Sequence, residues 1–243
     1  MLKIFIDEGH NFSGADTGAT GYGLREQDIT HLVGMKLGKL FEAIGLEVKH
    51  SRPTLSTNLG TGSVASSIAA RYTMANDWDA ALFISLHTDA TASCLPKGAH
   101  VCVYSKKTGV VSNSVAEKII NELLRIGLEG RSVLIQERKD LSVLENTKMP
   151  AVLVEMGFIT NEHNSTMLRD NPDKIAQAIF NGVCECYKIT SSKPVEYPTP
   201  AEAIAILAKR GIIVEPDKWY AGTWTDADFK WLLRKVGAYL NGD

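Results

Sequence analysis

The sequence has no strong excess of one charge and no long apolar run. Lysine and arginine number 26 and aspartate and glutamate 28, which gives a formal net charge of −2 over 243 residues. No basic cluster offers a surface for phosphate groups, so nucleic acid is not an expected partner. No apolar stretch reaches the roughly 20 residues of a membrane-spanning helix, so membrane insertion is not expected either.

A secretory signal is also missing from the amino-terminal residues. They contain neither a charged start followed by an apolar core nor a small-residue cleavage site, and the first predicted strand begins at Leu2. We therefore expect a protein that is made in the cytoplasm and that reaches any target outside the cell only after release by another route.

Cysteine is scarce, and its spacing does not predict a metal site. Cys184 and Cys186 would point apart on a helix, and no second pair completes a zinc site. Cys94 and Cys102 are spaced to close a loop before a strand. Reduced thiols, buried or partly buried, are nevertheless the expectation for all four.

Apolar strands alternate with amphipathic helices along most of the chain. Several strands are unbroken apolar runs, which is typical of strands buried on both faces of a parallel sheet. The pattern predicts an α/β fold with a mostly parallel twisted sheet sandwiched by helices. The predicted strands cover residues 2–7, 47–52, 81–87, 98–105, 141–144 and 151–158, and the predicted helices cover residues 29–44, 63–78, 111–128 and a segment that starts at Pro172.

The composition changes after residue 189. Residues 190–199 are polar and contain two prolines, as expected of a linker between a domain at residues 1–189 and a smaller one at residues 200–243. The smaller domain is predicted to be helical, and three of its residues are tryptophans: Trp219, Trp224 and Trp231. Because fewer than about 50 residues form a marginal core, it should pack on the larger domain, on a ligand or on a second copy of the chain, which would make a homo-oligomer.

The strand at residues 151–158 contains a carboxylate that packing does not explain. Glu155 lies near the carboxyl end of this apolar run, two residues before Gly157. Taking a carboxylate out of water is costly unless a cation or hydrogen bonds compensate it. Glu155 is therefore expected to face a charged partner.

Three further polar residues are predicted to reach the same edge of the sheet. His10 follows the first strand, His87 ends the third, and Glu26 begins the first helix. Ligands of such sheets bind beyond the carboxyl ends of the strands. Two imidazoles and a carboxylate suit one catalytic zinc ion per chain, and a second carboxylate then acts as general base and acid. The remaining histidines are interpreted as surface residues or local hydrogen-bonding groups: His31, His50, His100 and His163.

His10, Glu26, His87 and Glu155 lie in segments that resemble the zinc-dependent N-acetylmuramoyl-L-alanine amidases of bacterial autolysins and phage endolysins. The similarity covers about residues 2–188 and includes IDEGH at 6–10, GLRE at 23–26, FISLHTDA at 83–90 and MPAVLVEMGFITN at 149–161. It implies that zinc is bound by His10, Glu26 and His87 and that Glu155 has the acid/base role. Asp7 is either a partner of a ligand imidazole or a structural hydrogen-bonding group.

The sequence departs from this family's pattern at three places. Asn11 and Phe12 replace a usual glycine pair, Asp89 a usual asparagine, and Asn164 a usual aspartate. None of these belongs to the implied zinc site, so they bear on the substrate groove rather than on the chemistry.

The resemblance implies a peptidoglycan hydrolase that uses zinc-activated water to cleave the amide bond between N-acetylmuramic acid and L-alanine of the stem peptide. Without a signal sequence, a phage or prophage endolysin released through a membrane lesion is expected rather than a secreted autolysin. Two alternatives stay open. One is a zinc peptidase that acts on the stem peptide, and the other is a non-catalytic wall-binding protein that depends on its aromatic tail.

Overall fold

The computed structural model describes residues 2–105 and 109–189, together with residues 207–209, 212–213 and 232. The chain divides into two compact units, Met1–Ser191 and Ser192–Asp243. The predicted helical tail and its tryptophans lie almost entirely outside the described residues. The helical structure of the tail and a homo-oligomer formed through it therefore stay predictions. Among the described helices, none is both long and apolar enough to cross a bilayer.

The described part of the first unit alternates strands and helices. The strands are β1 (Lys3–Glu8), β2 (Thr20–Gly21), β3 (Leu24–Arg25), β4 (Glu47–His50), β5 (Leu82–Asp89), β6 (Ala99–Val103), β7 (Gly130–Glu137) and β8 (Ala151–Phe158). The helices are α1 (Glu26–Ala43), α2 (Val64–Asp77), α3 (Val110–Arg125), α4 (Ser142–Glu145), α5 (Glu162–Asp170) and α6 (Pro172–Tyr187).

Six of the strands form one sheet in the order β4-β1-β5-β8-β6-β7. The first four strands in this order are parallel, whereas β6 pairs antiparallel with β8, and β7 pairs parallel with β6. The predicted α/β fold with a mostly parallel sheet is confirmed. The central strand β8 therefore has β5 on one side and β6 on the other.

Both faces of the sheet are buried, which explains the unbroken apolar runs in its strands. In β8, Val152 and Val154 belong to the apolar cluster that includes α1, α3 and α6. Leu153 belongs to a second cluster, formed with residues of α2 and α4 on the opposite face. Successive strand residues point to opposite faces, so a strand covered by helices on both sides needs apolar residues at every position.

Two predictions made from local pattern are wrong. Residues 141–144 were predicted to be a strand, but Ser142–Glu145 is the short helix α4, which buries Val143 and Leu144. A four-residue apolar run is compatible with either structure, and tertiary packing decides between them. Cys94 was expected to be at least partly buried, but it is exposed in the loop after β5, and all four cysteines are free thiols.

Four described elements were not predicted at all: the two-residue strands β2 and β3, the strand β7 and the helix α5. β7 is an outer strand of the six-stranded sheet, and its exposed and half-buried residues do not alternate regularly, so it lacks the usual strand pattern. α5 is a short polar helix that begins after Asn161, whose side chain accepts a hydrogen bond from the backbone N–H of Asn164. An asparagine at this position is a common helix cap, but it is also common in loops.

Candidate metal centre

The carboxyl-terminal end of the sheet brings three of the predicted site residues together. His87 of β5 and Glu155 of β8 are direct neighbours in the parallel register. His10 follows β1, which lies on the other side of β5, and its ring centre is 4.8 Å from that of His87. Residues far apart in sequence thus share one edge because their strands are parallel.

Glu26 reaches this edge as the first residue of α1. The small β2–β3 hairpin precedes it directly, and the residue is only 3% exposed. The backbone N–H of Ala19 donates to Oε2 at 2.9 Å, and that of Thr88 donates to Oε1 at 2.8 Å. These two hydrogen bonds, one to each carboxylate oxygen, hold the carboxylate in one orientation.

The three side chains form a compact set of ligand atoms. Nε2 of His10 and Nδ1 of His87 each lie 3.2 Å from Oε1 of Glu26. One ligand atom from each residue lies within 4.8 Å of the others. Two imidazole nitrogens and one carboxylate oxygen are a donor set that zinc accepts, with a fourth position open to water.

Two glycines leave just enough room for these ligands. A Cβ atom on Gly9 would lie 2.5 Å from the His87 ring. A Cβ atom on Gly18 would lie 2.7 Å from the Cβ atom of Glu26 and 2.8 Å from Cδ2 of His10. The backbone is thus packed against all three side chains, as expected of a site that holds a metal ion. The residues present therefore fit zinc.

Glu155 lies beside this centre, and the protein offers few hydrogen-bond partners or positive charges to its carboxylate. Its side chain is half-buried, and among the described residues its buried Oε2 has no hydrogen-bond partner. Burial raises the pKa of Glu155 well above its usual range, and the carboxylates of Asp89 and Glu26 raise it further. His10 and Arg138 act in the opposite direction but do not offset these effects. Among the protein's own groups, burial therefore dominates.

Residues 4–185 match the sequence profile of the N-acetylmuramoyl-L-alanine amidase family. The chain belongs to this family. The matched range contains every residue of the centre described above.

Relatives include both bacterial and phage proteins. The amidase LytC of Bacillus subtilis is 32% identical over 188 residues, which cover 76% of this chain but only 35% of LytC. The endolysin of Bacillus phage SPP1 is 27% identical over 243 residues, covering 96% of this chain and 84% of the endolysin. Among solved structures, the CwlD amidase of Clostridioides difficile, in complex with the GerS lipoprotein, superposes with a TM-score of 0.70 at 26% identity, over 78% of this chain and 100% of CwlD.

Asp16 is a residue of this amidase-family centre that sequence reasoning missed. Nδ1 of His10 lies 3.2 Å from Oδ1 of Asp16, and the Ser67 hydroxyl donates to Oδ2 at 2.6 Å. A carboxylate at Nδ1 fixes the imidazole tautomer and leaves Nε2 for a metal. Asp7, considered from the sequence as such a partner, instead accepts hydrogen bonds from Arg71 and Ser85, each at 2.7 Å. Its role is structural.

The imidazole and carboxylate groups of the centre shift one another's pKa values. Burial alone would lower the pKa of His10, but its hydrogen bonds with Asp16 and Glu26 raise it to about 9. Burial alone would raise the pKa of Glu26, but its contacts with His10 and His87 lower it well below its usual range. Zinc binds neutral imidazole, so a metal ion held by these residues would take the place of the proton on His10.

Two departures from the family pattern have structural roles. Oδ1 of Asn164 accepts hydrogen bonds from the backbone N–H groups of Gly98 and Phe158, at 2.8 and 3.1 Å. The side chain of Asn11 exchanges two hydrogen bonds with the backbone of Leu59. Both side chains hold loops around the centre. The Asn11 amide donates and accepts at once, which a carboxylate does not do. The Asn164 amide only accepts, since its buried Nδ2 has no hydrogen-bond partner among the described residues.

Asp16→Ala is expected to weaken zinc binding by about 10–100-fold, because Nδ1 of His10 loses the carboxylate that sets its tautomer. Asp16→Asn keeps an acceptor oxygen and should lose less. Competition with a chromophoric chelator measures the affinity. Asp173→Ala is the matched control, since it removes an exposed carboxylate that pairs with Lys36. Equal zinc affinity in Asp16→Ala and in this control would contradict the assignment.

Proposed function

We propose that the chain hydrolyses the amide bond between N-acetylmuramic acid and L-alanine of peptidoglycan, with zinc held by His10, Glu26 and His87 and with Glu155 as the acid/base. One observation carries the proposal. In a chain of this family, the ligand atoms of the three residues lie within 4.8 Å of one another, beside the half-buried carboxylate of Glu155.

Zinc, when bound, supplies a Lewis acid that lowers the pKa of a water ligand to about 7. Glu155 takes the proton of the attacking water and then gives it to the leaving nitrogen of L-alanine. A carboxylate beside the ligand residues suits both steps, because it can take a proton from water and release it again. Asp16 and the N–H groups of Ala19 and Thr88 keep the ligand side chains oriented.

A cavity of about 230 Å³ adjoins the centre and offers room for the substrate. Its lining includes His10 and His87 together with apolar side chains, among them Val64 and Ile68 of α2 and Val143 of α4. The groups that flank the scissile amide, a lactyl group and an alanine, each carry a methyl group. An apolar wall beside the ligands is compatible with such groups.

Digestion of purified peptidoglycan, followed by chromatography and mass spectrometry, tests the proposal. The expected products are glycan strands with intact lactyl groups and stem peptides with a free amino-terminal L-alanine. A zinc peptidase would instead shorten the stem peptide and leave it attached to the glycan. A non-catalytic wall-binding protein would release neither product. Either of these two results would overturn the proposal.

We further propose that the protein acts as an endolysin, made in the cytoplasm and active on the wall after release, with residues 200–243 directing it to the wall. Similarity to the SPP1 endolysin over 96% of the chain supports this role. Truncation at Val195 should leave hydrolysis of soluble muropeptides intact and reduce sedimentation with cell walls. Light scattering of both forms tests the predicted oligomer, whose loss would show as a smaller mass. A truncated protein with unchanged wall binding would exclude the targeting role.

A further inference from the structure

A histidine faces Glu155 from the side away from the metal centre. His100 of β6 is the direct register partner of Glu155 across the β6–β8 pair, just as His87 is across the β5–β8 pair. Directly opposed residues of neighbouring strands project to the same face of a sheet. Glu155 therefore stands in a row between His87 and His100. The sequence interpretation of His100 as a surface or local hydrogen-bonding residue misses its burial, since it is only 2% exposed.

The His100 ring lies beside a charged pair. Its Nδ1 lies 3.2 Å from Oδ2 of Asp89, and an Arg131 N–H group donates to the same oxygen at 3.3 Å. The guanidinium of Arg131 also lies over the Phe158 ring, 5.1 Å from its centre. Phe158 is the register partner of Asp89. Residues of β5, β7 and β8 thus lie around one imidazole of β6.

A bulge in β8 makes this arrangement possible. Between the His87–Glu155 pair and the Asp89–Phe158 pair, β8 contains one residue more than β5. Gly157 lies in the bulge at φ +125°, where a side chain would be strained. Because of the extra residue, Phe158 pairs with Asp89, and its ring lies under the guanidinium of Arg131. The chain therefore departs from a regular strand at the point where it completes the surroundings of Glu155.

Packing alone does not account for these polar groups. Within the described part of the chain, neither Oε2 of Glu155 nor Nδ1 of His100 has an aligned hydrogen bond, although both atoms are buried. Buried polar atoms without partners are costly, so their retention calls for a functional reason. Burial, together with Arg131 and Arg138, lowers the pKa of His100 to about 4, which keeps the ring neutral at neutral pH. A neutral ring confines a carboxylate without forming an ion pair with it.

We infer that His100 is a positioning residue for Glu155, with its imidazole, which lies beside the Asp89–Arg131 pair, keeping the carboxylate turned toward His10, Glu26 and His87. The inference rests on the proposed function, because it assigns Glu155 the acid/base role. Without the ring, a space as large as an imidazole opens beside Glu155. The carboxylate then occupies rotamers in which it does not reach the attacking water, and a displacement of about 1 Å is enough to cost 10²-fold in rate.

The test compares His100 variants on a soluble muramyl-peptide substrate. His100→Ala is expected to lower kcat by about 10–100-fold, with KM and the zinc content unchanged. His100→Asn should recover part of the loss, since its amide nitrogen takes the place of Nδ1 toward Asp89. His163→Ala, the same substitution at an exposed position of α5, should behave as the wild type.

A double variant shows whether His100 acts through Glu155. When two residues act as one unit, removing the second adds little to the loss caused by the first. His100→Ala combined with Glu155→Gln should therefore be no slower than Glu155→Gln alone. If the two losses multiply, or if His100→Ala loses zinc, the positioning role is wrong.

Other outcomes separate this inference from the proposed function. A wild-type protein without amide hydrolysis overturns both, whereas an active wild type whose kcat is unchanged by His100→Ala overturns only the positioning role. Thermal melting shows whether each variant is folded. If His100→Ala does not fold, His100→Asn and His100→Gln replace it. The inference requires the asparagine variant to be the faster of the two, because only asparagine places a donor near Asp89, and the reverse order overturns it.

Discussion

Glu155→Gln is expected to lower kcat by about 10²-fold or more while zinc stays bound. Glutamine keeps the shape of the side chain but has no oxygen basic enough to take a proton from water. Glu155 is not one of the three residues whose ligand atoms converge, so its replacement leaves His10, Glu26 and His87 in place. Release of stem peptides measures the rate, and metal analysis of the purified variant measures zinc.

Glu162→Gln is the matched control for this experiment, because Glu162 is an exposed residue in the first turn of α5. It should retain the wild-type rate and zinc content. A Glu155→Gln variant with a near-wild-type rate would remove the acid/base assignment and leave the metal centre unaffected. Loss of zinc in the same variant would instead make Glu155 a ligand.

Removal of the metal is expected to abolish hydrolysis, and added zinc is expected to restore it. Within the described residues, His10, Glu26 and His87 are the group that can hold a metal ion. Catalysis by Glu155 alone would require it to activate an unbound water, whose pKa of about 15.7 makes it a poor nucleophile near neutral pH. Activity is measured after exhaustive chelation, with the metal content checked, and again after zinc is returned.

His87→Ala should have the same effect as chelation, but zinc should not reverse it. Loss of one of three protein ligands leaves too few donors for a stable zinc site. His163→Ala is the control for a lost histidine. Full activity at a verified metal content of zero would exclude the metal mechanism, and a zinc-loaded His87→Ala variant would remove His87 from the ligand set.

Much of this protein could be predicted because its strongest signals are local. The apolar runs of β1, β5 and β8 are long, and helices cover both faces of the sheet they form, so these strands were recognisable without a partner strand. A polar residue within or just after such a run has no packing role there. This contrast identified His10, His87 and Glu155 as candidate site residues and indicated the edge of the sheet that they share.

The chain's own residue pattern therefore determined the α/β class, the order of the main elements and the four residues proposed for the chemistry. It did not determine the partners of those residues. Asp16 lies in a loop and His100 in an ordinary apolar strand, and neither position has a distinctive spacing. Only the folded chain brings Asp16 to His10 and places His100 opposite Glu155, because strand register and loop closure join residues far apart in sequence. Tertiary packing also decided between strand and helix at Ser142–Glu145, where four residues alone are compatible with both.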